Sequence, residues 1–259
     1  MSVSCNDNSN NPLDEILSQN DSLLRKFADQ PDKYELQIIY TQINRDNANV
    51  PDFTDFNYQL DSSVYFYPAS TVKIPVAFLA LEKLNEIKKQ GFQIDKFTPL
   101  KIDSVRESQT SVKKYVTNES GYANIAHYIK KIFLVSDNDA YNRLFEFLGR
   151  DFINEKFKEK RITPGRITHR LSSFNVDNKY SNPIIFSDDS ILYQQEEIIS
   201  QTEYLPLKLK NTLKGKGYIN KDHELVNKPM DFSQKNYLQL WINSRIFPID
   251  CRYPIKGLI

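Results

Sequence analysis

The chain has 259 residues, 40% of them hydrophobic and 26% charged, with 34 Lys and Arg against 33 Asp and Glu. That length supplies one sizeable core and about one or two domains, and a net charge of +1 removes any global electrostatic case for nucleic acid or a membrane surface. Seven Gly and twelve Pro exclude a fibrous or low-complexity chain, and Cys5 and Cys251 make neither a disulfide framework nor a CxxC metal or redox site.

Residues 1–12 form a polar tail. Within it, Ser2-Val3-Ser4-Cys5 followed by the polar run Asn6 to Asn11 resembles the end of a bacterial lipoprotein signal, in which small residues precede a lipidated Cys. That resemblance implies a lipid anchor through Cys5, a periplasmic or membrane-anchored location, and an upstream apolar segment ahead of the first residue given. The plain alternative is an ordinary N-terminal tail. From residue 13 to residue 259 the chain reads as one domain.

Leu13 to Ala28 carries the periodicity of a helix, interrupted by Asn20-Asp21-Ser22. Glu35 to Ile43 and Phe56 to Phe66 read as two strands around a turn-rich break at Asp46 to Asp52, with the helix laid on the hairpin. From Ser70 to Lys89 the pattern is helical, with Ile74, Ala77, Leu81 and Leu84 on one face and Pro75 tolerated in the first turn. Ile74 to Leu81 is the longest apolar run, too short to cross a bilayer. After a mixed polar stretch from Gln90 to Gly121, Ile125, Ile129, Ile132 and Phe133 mark another helix. Ser136-Asp137-Asn138-Asp139 breaks it, Ala140 to Leu148 resumes it, and Gly149 supplies a C′ position. Ile153 to Phe157 suggests one more helix. Arg161 to Asn182 reads mainly as loop, followed by short apolar segments at Ile184 to Phe186, Tyr204 to Leu213 and Tyr237 to Phe247. The mostly helical region spans about residues 70–230.

Two short motifs stand out. Ser70-Thr71-Val72-Lys73 is an S-x-x-K, a pattern expected roughly once per chain by chance. A second copy, Ser111-Val112-Lys113-Lys114, lies in a polar, basic stretch. Ser70 instead sits where a strand hands over to an apolar helix. There free N–H groups and the helix dipole favour developing negative charge. Lys73, one turn on, shares its face. Enclosed by Ile74, Val76 and Ala77, its amine can lose its charge and act as a base. The plainer reading is an N-cap serine beside a snorkelling lysine. The second motif, Ser136-Asp137-Asn138, is a cap turn, and its chance of occurrence in a chain this long is of order 5%.

Together, Ser70-Thr71-Val72-Lys73, the helical interval and Ser136-Asp137-Asn138 resemble the penicillin-recognising serine hydrolases, most of all class A β-lactamase-like proteins. The opening helix and strand pair are also similar, and the likeness covers roughly Leu13 to Gly149. It implies an α+β, β-lactamase/transpeptidase-like fold: an antiparallel sheet with flanking helices plus a mostly helical subdomain. It implies acyl-enzyme chemistry on a β-lactam or peptidoglycan-type amide, with no metal or cofactor. By the same resemblance Ser70 is the nucleophile, Lys73 takes its proton, and Ser136 passes a proton to the leaving nitrogen. Asn138 hydrogen-bonds the substrate amide, Asp137 is structural at the turn, and the Ser70 N–H forms half of an oxyanion hole.

The sequence departs from that pattern twice. No Glu lies between Arg161 and Gln195, so the water-activating carboxylate of the class A loop is missing; Arg170-Leu171 and Asn182-Pro183 are similar to that loop, and Asp177 is the only acid in its early part. An acyl-enzyme formed here is expected to hydrolyse slowly. Nor is there a K-[ST]-G. Lys214-Gly215-Lys216-Gly217 and Lys256-Gly257 come nearest, and the C-terminal strands of such a fold are not found before Ile259. These departures favour the alternative of a non-hydrolysing penicillin- or peptidoglycan-binding module, or a truncated, inactive relative. A third reading is an unrelated lipoprotein whose motifs coincide by chance.

Other chemistries find no support. His127, His169 and His223 are isolated in sequence without metal-ligand spacing, and His127 reads as packing. GxGxxG and GxxxxGK[ST] are absent. The many Tyr and Phe lack a basic stripe, so they read as core.

Overall fold

The computed structural model describes residues 11–162, 165–173, 176–220 and 222–238. Cys5, Cys251 and Lys256-Gly257 lie outside them. The described chain divides into two compact units, residues 11–64 and 65–238.

The first unit holds α1 (Pro12–Ser18), α2 (Ser22–Ala28), α3 (Pro31–Tyr34), β1 (Ile38–Arg45) and β2 (Pro51–Tyr58). The single helix expected over Leu13 to Ala28 is two. The Asp21 side chain caps α2 by accepting from the N–H groups of Leu23 and Leu24, both at 2.9 Å. β1 and β2 form an antiparallel hairpin that runs from Ile38 opposite Tyr58 to Arg45 opposite Pro51. Asp46 shapes its turn by accepting from Ala48 N and Val50 N. The second strand therefore starts earlier than Phe56. Leu13 and Leu17 are the buried residues of α1, which packs on β2.

The second unit opens with a 3-10 turn, Ala69–Val72, that runs into α4 (Lys73–Lys89). Then come β3 (Leu100–Ile102), α5 (Ile125–Val135), α6 (Asn138–Leu148) and α7 (Arg150–Glu159). After Glu159 the described chain is short strands: β4 (Gly165–Arg166), β5 (Tyr180–Ser181), β6 (Ile184–Ser187), β7 (Ile191–Gln195), β8 (Ile198–Ile199), β9 (Leu213–Lys214), β10 (Tyr218–Ile219), β11 (Leu225–Val226), β12 (Met230–Asp231) and β13 (Tyr237–Leu238). All their pairings are antiparallel. With seven helices and antiparallel sheets among the described residues, the α+β class is as expected.

α4, α5 and α6 pack together around Val72, Val76, Ala80, Tyr141, Leu144 and Phe145, all at 1% exposure or less. The order β3-β6-β7 forms a three-stranded sheet, with Ile102, Ile184 and Phe186 buried. α4 is turned differently from the expected face. Ile74 is 42% exposed, whereas Lys73 is 2% exposed. Gly149 joins α6 to α7 at φ +77°, and a Cβ there would meet the Ile198 side chain at 2.9 Å, so only glycine fits without a shift.

Candidate active site

Local backbone chemistry presents Ser70. Ala69 has φ +44°, a left-handed value that costs a residue with a Cβ about 1–2 kcal/mol. This kink delivers Ser70 into the 3-10 turn with its side chain exposed while Val72 is fully buried. Ser70 thus lies one turn before α4, not at its N-cap, and its hydroxyl caps nothing.

Ser136 is presented by a second kink. Asn124 caps α5 by accepting from His127 N at 2.7 Å, and the helix ends when Ser136 takes φ +53°. Asp137 then caps α6 by accepting from Ala140 N at 2.8 Å. The cap reading of Ser136-Asp137-Asn138 and the functional one are therefore compatible: the same turn that caps the helix exposes Ser136.

Lys73 links the two serines. Its Nζ lies 3.1 Å from Ser70 Oγ and 2.9 Å from Ser136 Oγ, and donates to the Ser136 carbonyl at 2.5 Å. An ammonium satisfies all three contacts with its three protons. A neutral amine donates to two oxygens and accepts from one hydroxyl through its lone pair. The network thus holds either protonation state. Burial pushes the Lys73 ammonium below the usual lysine range, and the Asp137 carboxylate opposes that shift. Asp137 itself is held below the usual carboxylate range: burial works the other way, but the hydrogen bonds from Lys131 and Ala140 N outweigh it.

Ser70 and Asn138 line a cavity of about 340 Å³, together with Tyr67, His169, Arg170, Ser172, Phe232, Lys235, Asn236 and five other residues. Among these lining residues there is no carboxylate. Asp177, the acid of the expected loop, instead accepts from Lys179 N at 2.9 Å.

One wall is the segment 170–173. Asn142 of α6 clamps it at both backbone groups of Leu171, accepting from N at 2.8 Å and donating to O at 2.9 Å. Asn138 Nδ2 donates to Ser172 Oγ at 2.9 Å. Beneath, the Glu146 carboxylate joins two guanidiniums, with Arg170 at 3.1 Å and Arg143 at 3.2 Å. Arg170 also donates to Tyr180 O at 2.8 Å.

Lys235 and Asn236, just before β13, form another part of the lining, and β13 pairs with β4 through Tyr237 to Arg166 and Leu238 to Gly165. The Arg166 guanidinium donates to the carbonyls of Leu205, Ser233 and Lys235. Asn236 Oδ1 accepts from Thr168 N at 2.7 Å and His169 N at 3.2 Å. His169 Nδ1 is 2.6 Å from Arg170 O and Nε2 is 3.2 Å from Asn236 N. A carbonyl only accepts, so Nδ1 carries the proton and Nε2 receives the amide: the ring is neutral. Burial lowers its pKa in keeping with that.

All four residues picked from the sequence therefore meet. Ser70, Lys73 and Ser136 are within hydrogen-bond reach of one another through Lys73, and Asn138 shares the cavity with Ser70. Ser111 and Lys114 of the second S-x-x-K lie outside any helix. Lys214-Gly215-Lys216-Gly217 belongs to the β9–β10 region and does not line the cavity. His127 packs edge-on to Tyr115 and contacts Thr117. The sequence reading missed Ser172, Lys235, Asn236 and the part played by His169. Its only pointer toward that wall was the similarity at Arg170-Leu171. Among the described residues no group of three or more His, Cys, Asp or Glu side chains is placed to hold a metal ion, and no helix is long and apolar enough to cross a membrane.

Ser70 and Asn138 open onto the cavity, and Lys73 joins Ser70 to Ser136 behind it. The model of the beta-lactamase enzyme family matches residues 26–204, well over half of the sequence, and the chain belongs to that family. A search of curated proteins finds no match. Among solved structures, the chain is similar to the chromosome-encoded beta-lactamase of Vibrio parahaemolyticus, at 15% identity and a TM-score of 0.38, over 60% of this chain and 56% of that one. The chain thus spans a little over half the length of that relative.

Proposed function

We propose that this chain is a serine hydrolase of the β-lactamase type that forms an acyl-enzyme at Ser70 with a β-lactam or a peptidoglycan-type amide. The observation that carries the proposal is that Lys73 Nζ lies 3.1 Å from the Oγ of Ser70, a residue lining the cavity, and 2.9 Å from Ser136 Oγ. In the proposed reaction, the bond from Ser70 Oγ to the acyl carbon forms and the amide C–N bond breaks. The Ser70 proton passes to Lys73 Nζ. Ser136 protonates the leaving nitrogen and is resupplied from Lys73. The Ser70 N–H supports the oxyanion, and Asn138 exchanges its bond to Ser172 for one to the substrate amide.

The carboxylate-free lining favours slow release of the acyl group, because no carboxylate there activates water and His169 Nε2 is already taken by the Asn236 N–H. This supports a second outcome, a penicillin- or peptidoglycan-binding protein that keeps its adduct. Such a substrate belongs on the periplasmic face of a bacterial membrane, and Cys5 is the residue that would carry a lipid anchor there.

Intact-mass spectrometry after incubation with a penicillin tests the reading, with Ser70→Ala as control. We expect an adduct on the wild type alone. Folded wild type without an adduct overturns acylation; an adduct that decays within seconds overturns slow release.

A further inference from the structure

The turn that carries Ser136 is closed by an ion pair that the acylation chemistry does not use. Ser136 holds φ +53° and ψ +41°, and its N–H donates back to the carbonyls of Ile132 and Lys131. Across this turn Lys131 Nζ lies 2.6 Å from Asp137 Oδ2 and donates to Tyr115 Oη at 2.6 Å. Lys73 approaches the same turn through Ser136 O and Oγ. Asp137 is thus shared: its carboxylate bonds Lys131, and its field also reaches Lys73, where it favours the charged ammonium.

We propose that Lys131 is a positioning residue of this site: by pairing with Asp137 across the Ser136 turn, it screens Lys73 from that carboxylate and keeps the Lys73 amine available to take the Ser70 proton. The catalytic use of that amine rests on the acylation reading above, whereas the charge arrangement does not depend on it.

The other ionisable groups around the turn and the cavity leave this balance to the pair. His127 of α5 is held below the usual histidine range by burial and by Lys131 and Lys130. Asp139 of α6 pairs with Arg143 at 3.2 Å. On the cavity walls Arg170 pairs with Glu146, His169 is neutral, and Lys235 adds a cation. Tyr115 spends its hydroxyl on Lys131. Lys131 and Asp137 are therefore the two charges whose removal unbalances the field at Lys73 in opposite senses.

That opposition separates electrostatics from simple support of the turn. The titration of Lys73 is followed by NMR of lysine side chains in the full chain, with its signal assigned by its loss in Lys73→Arg. In Lys131→Met, Asp137 is left unscreened, and the Lys73 midpoint rises by about one pH unit. In Asp137→Asn, Lys131 is left unpaired and the midpoint falls. The double variant returns to near the wild-type value. The pH profile of Ser70 acylation follows with the same signs. A role confined to holding the turn moves both single variants in one direction, and that result, or no movement, overturns the proposal. If Lys131→Met does not fold, Lys131→Gln takes its place: a rise supports the proposal, and a fall or no change overturns it. Absence of a Ser70 adduct in the wild type would overturn the acylation reading, while the NMR midpoints would still decide the charge arrangement.

Discussion

Glu146→Ala is expected to be the most destabilising single substitution in the cavity's support. Glu146 is 3% exposed, and its two oxygens serve different cations: Oε2 meets Arg143 at 3.2 Å, and Oε1 meets Arg170 at 3.1 Å. All three side chains are almost fully buried. Removing the carboxylate leaves two buried guanidiniums without their shared counter-ion, with only Arg143 still near another carboxylate, that of Asp139 at 3.2 Å. Breaking one buried pair by losing a partner costs about 3–5 kcal/mol. Arg170 keeps Tyr180 O and Arg143 keeps Thr110, which holds the cost near that range. For a unit of this size each kcal/mol moves the melting temperature by about 2–4 °C, so a fall of about 6–20 °C is expected. Circular dichroism melts of the full chain measure it. Glu146→Gln keeps the shape and one acceptor and should lose about 1–3 kcal/mol. A loss below about 1 kcal/mol for the alanine variant, or equal losses for both, would refute the view that charge compensation holds segment 170–173 in place.

Three further outcomes follow from the same geometry. Lys83 donates to Phe147 O and Gln195 Oε1 and sits 4.7 Å from the Phe147 ring centre, and burial pulls its pKa down to about 7. Its folded value lies below the unfolded one, so the unfolded chain binds the extra proton between about pH 7 and 10; stability should rise across that window by about 1 kcal/mol per pH unit, and urea titration of Lys83→Met should lack the rise. His169, with a folded pKa lowered by burial, should cost stability as pH falls below about 6.5, the unfolded value, and His169→Asn should flatten that slope in acid melts. Ser172→Glu adds a carboxylate to the wall that Asn138 touches; the lifetime of a penicillin adduct should shorten by about 10-fold or more, the low end of what a general base contributes, as read by mass spectrometry over time.

What could be read from sequence was whatever is set by near neighbours. The spacing of Ser70 and Lys73 puts both on one helical turn, and the Ser136-Asp137-Asn138 break lies between two periodic helices. The helices around them follow from 3.6-residue patterning. The lining around residue 235 escaped because the strands beside it, β4 and β13, are two residues each, too short for any alternation, and meet only through a pairing of distant segments. Nothing in the local sequence therefore marks Lys235 and Asn236. Periodicity also misplaced α4: Ile74 fits an apolar stripe, but turning Lys73 inward to reach both serines turns Ile74 out. Glu146 and Arg143 were silent for a related reason, and Arg170 was legible only as part of a loop likeness. A buried charge cluster reads as polar surface until the partners are seen together.

The central claim is that Lys73 activates Ser70. It is tested most directly by the rate at which a fluorescent penicillin labels Ser70 in the wild type and in Lys73→Met, with the labelled peptide identified by mass spectrometry. The account predicts labelling at Ser70 that slows by about 100-fold or more in the variant, within the range a positioned base contributes, while the variant remains folded. Labelling of folded Lys73→Met at the wild-type rate, or on a residue other than Ser70, would contradict it.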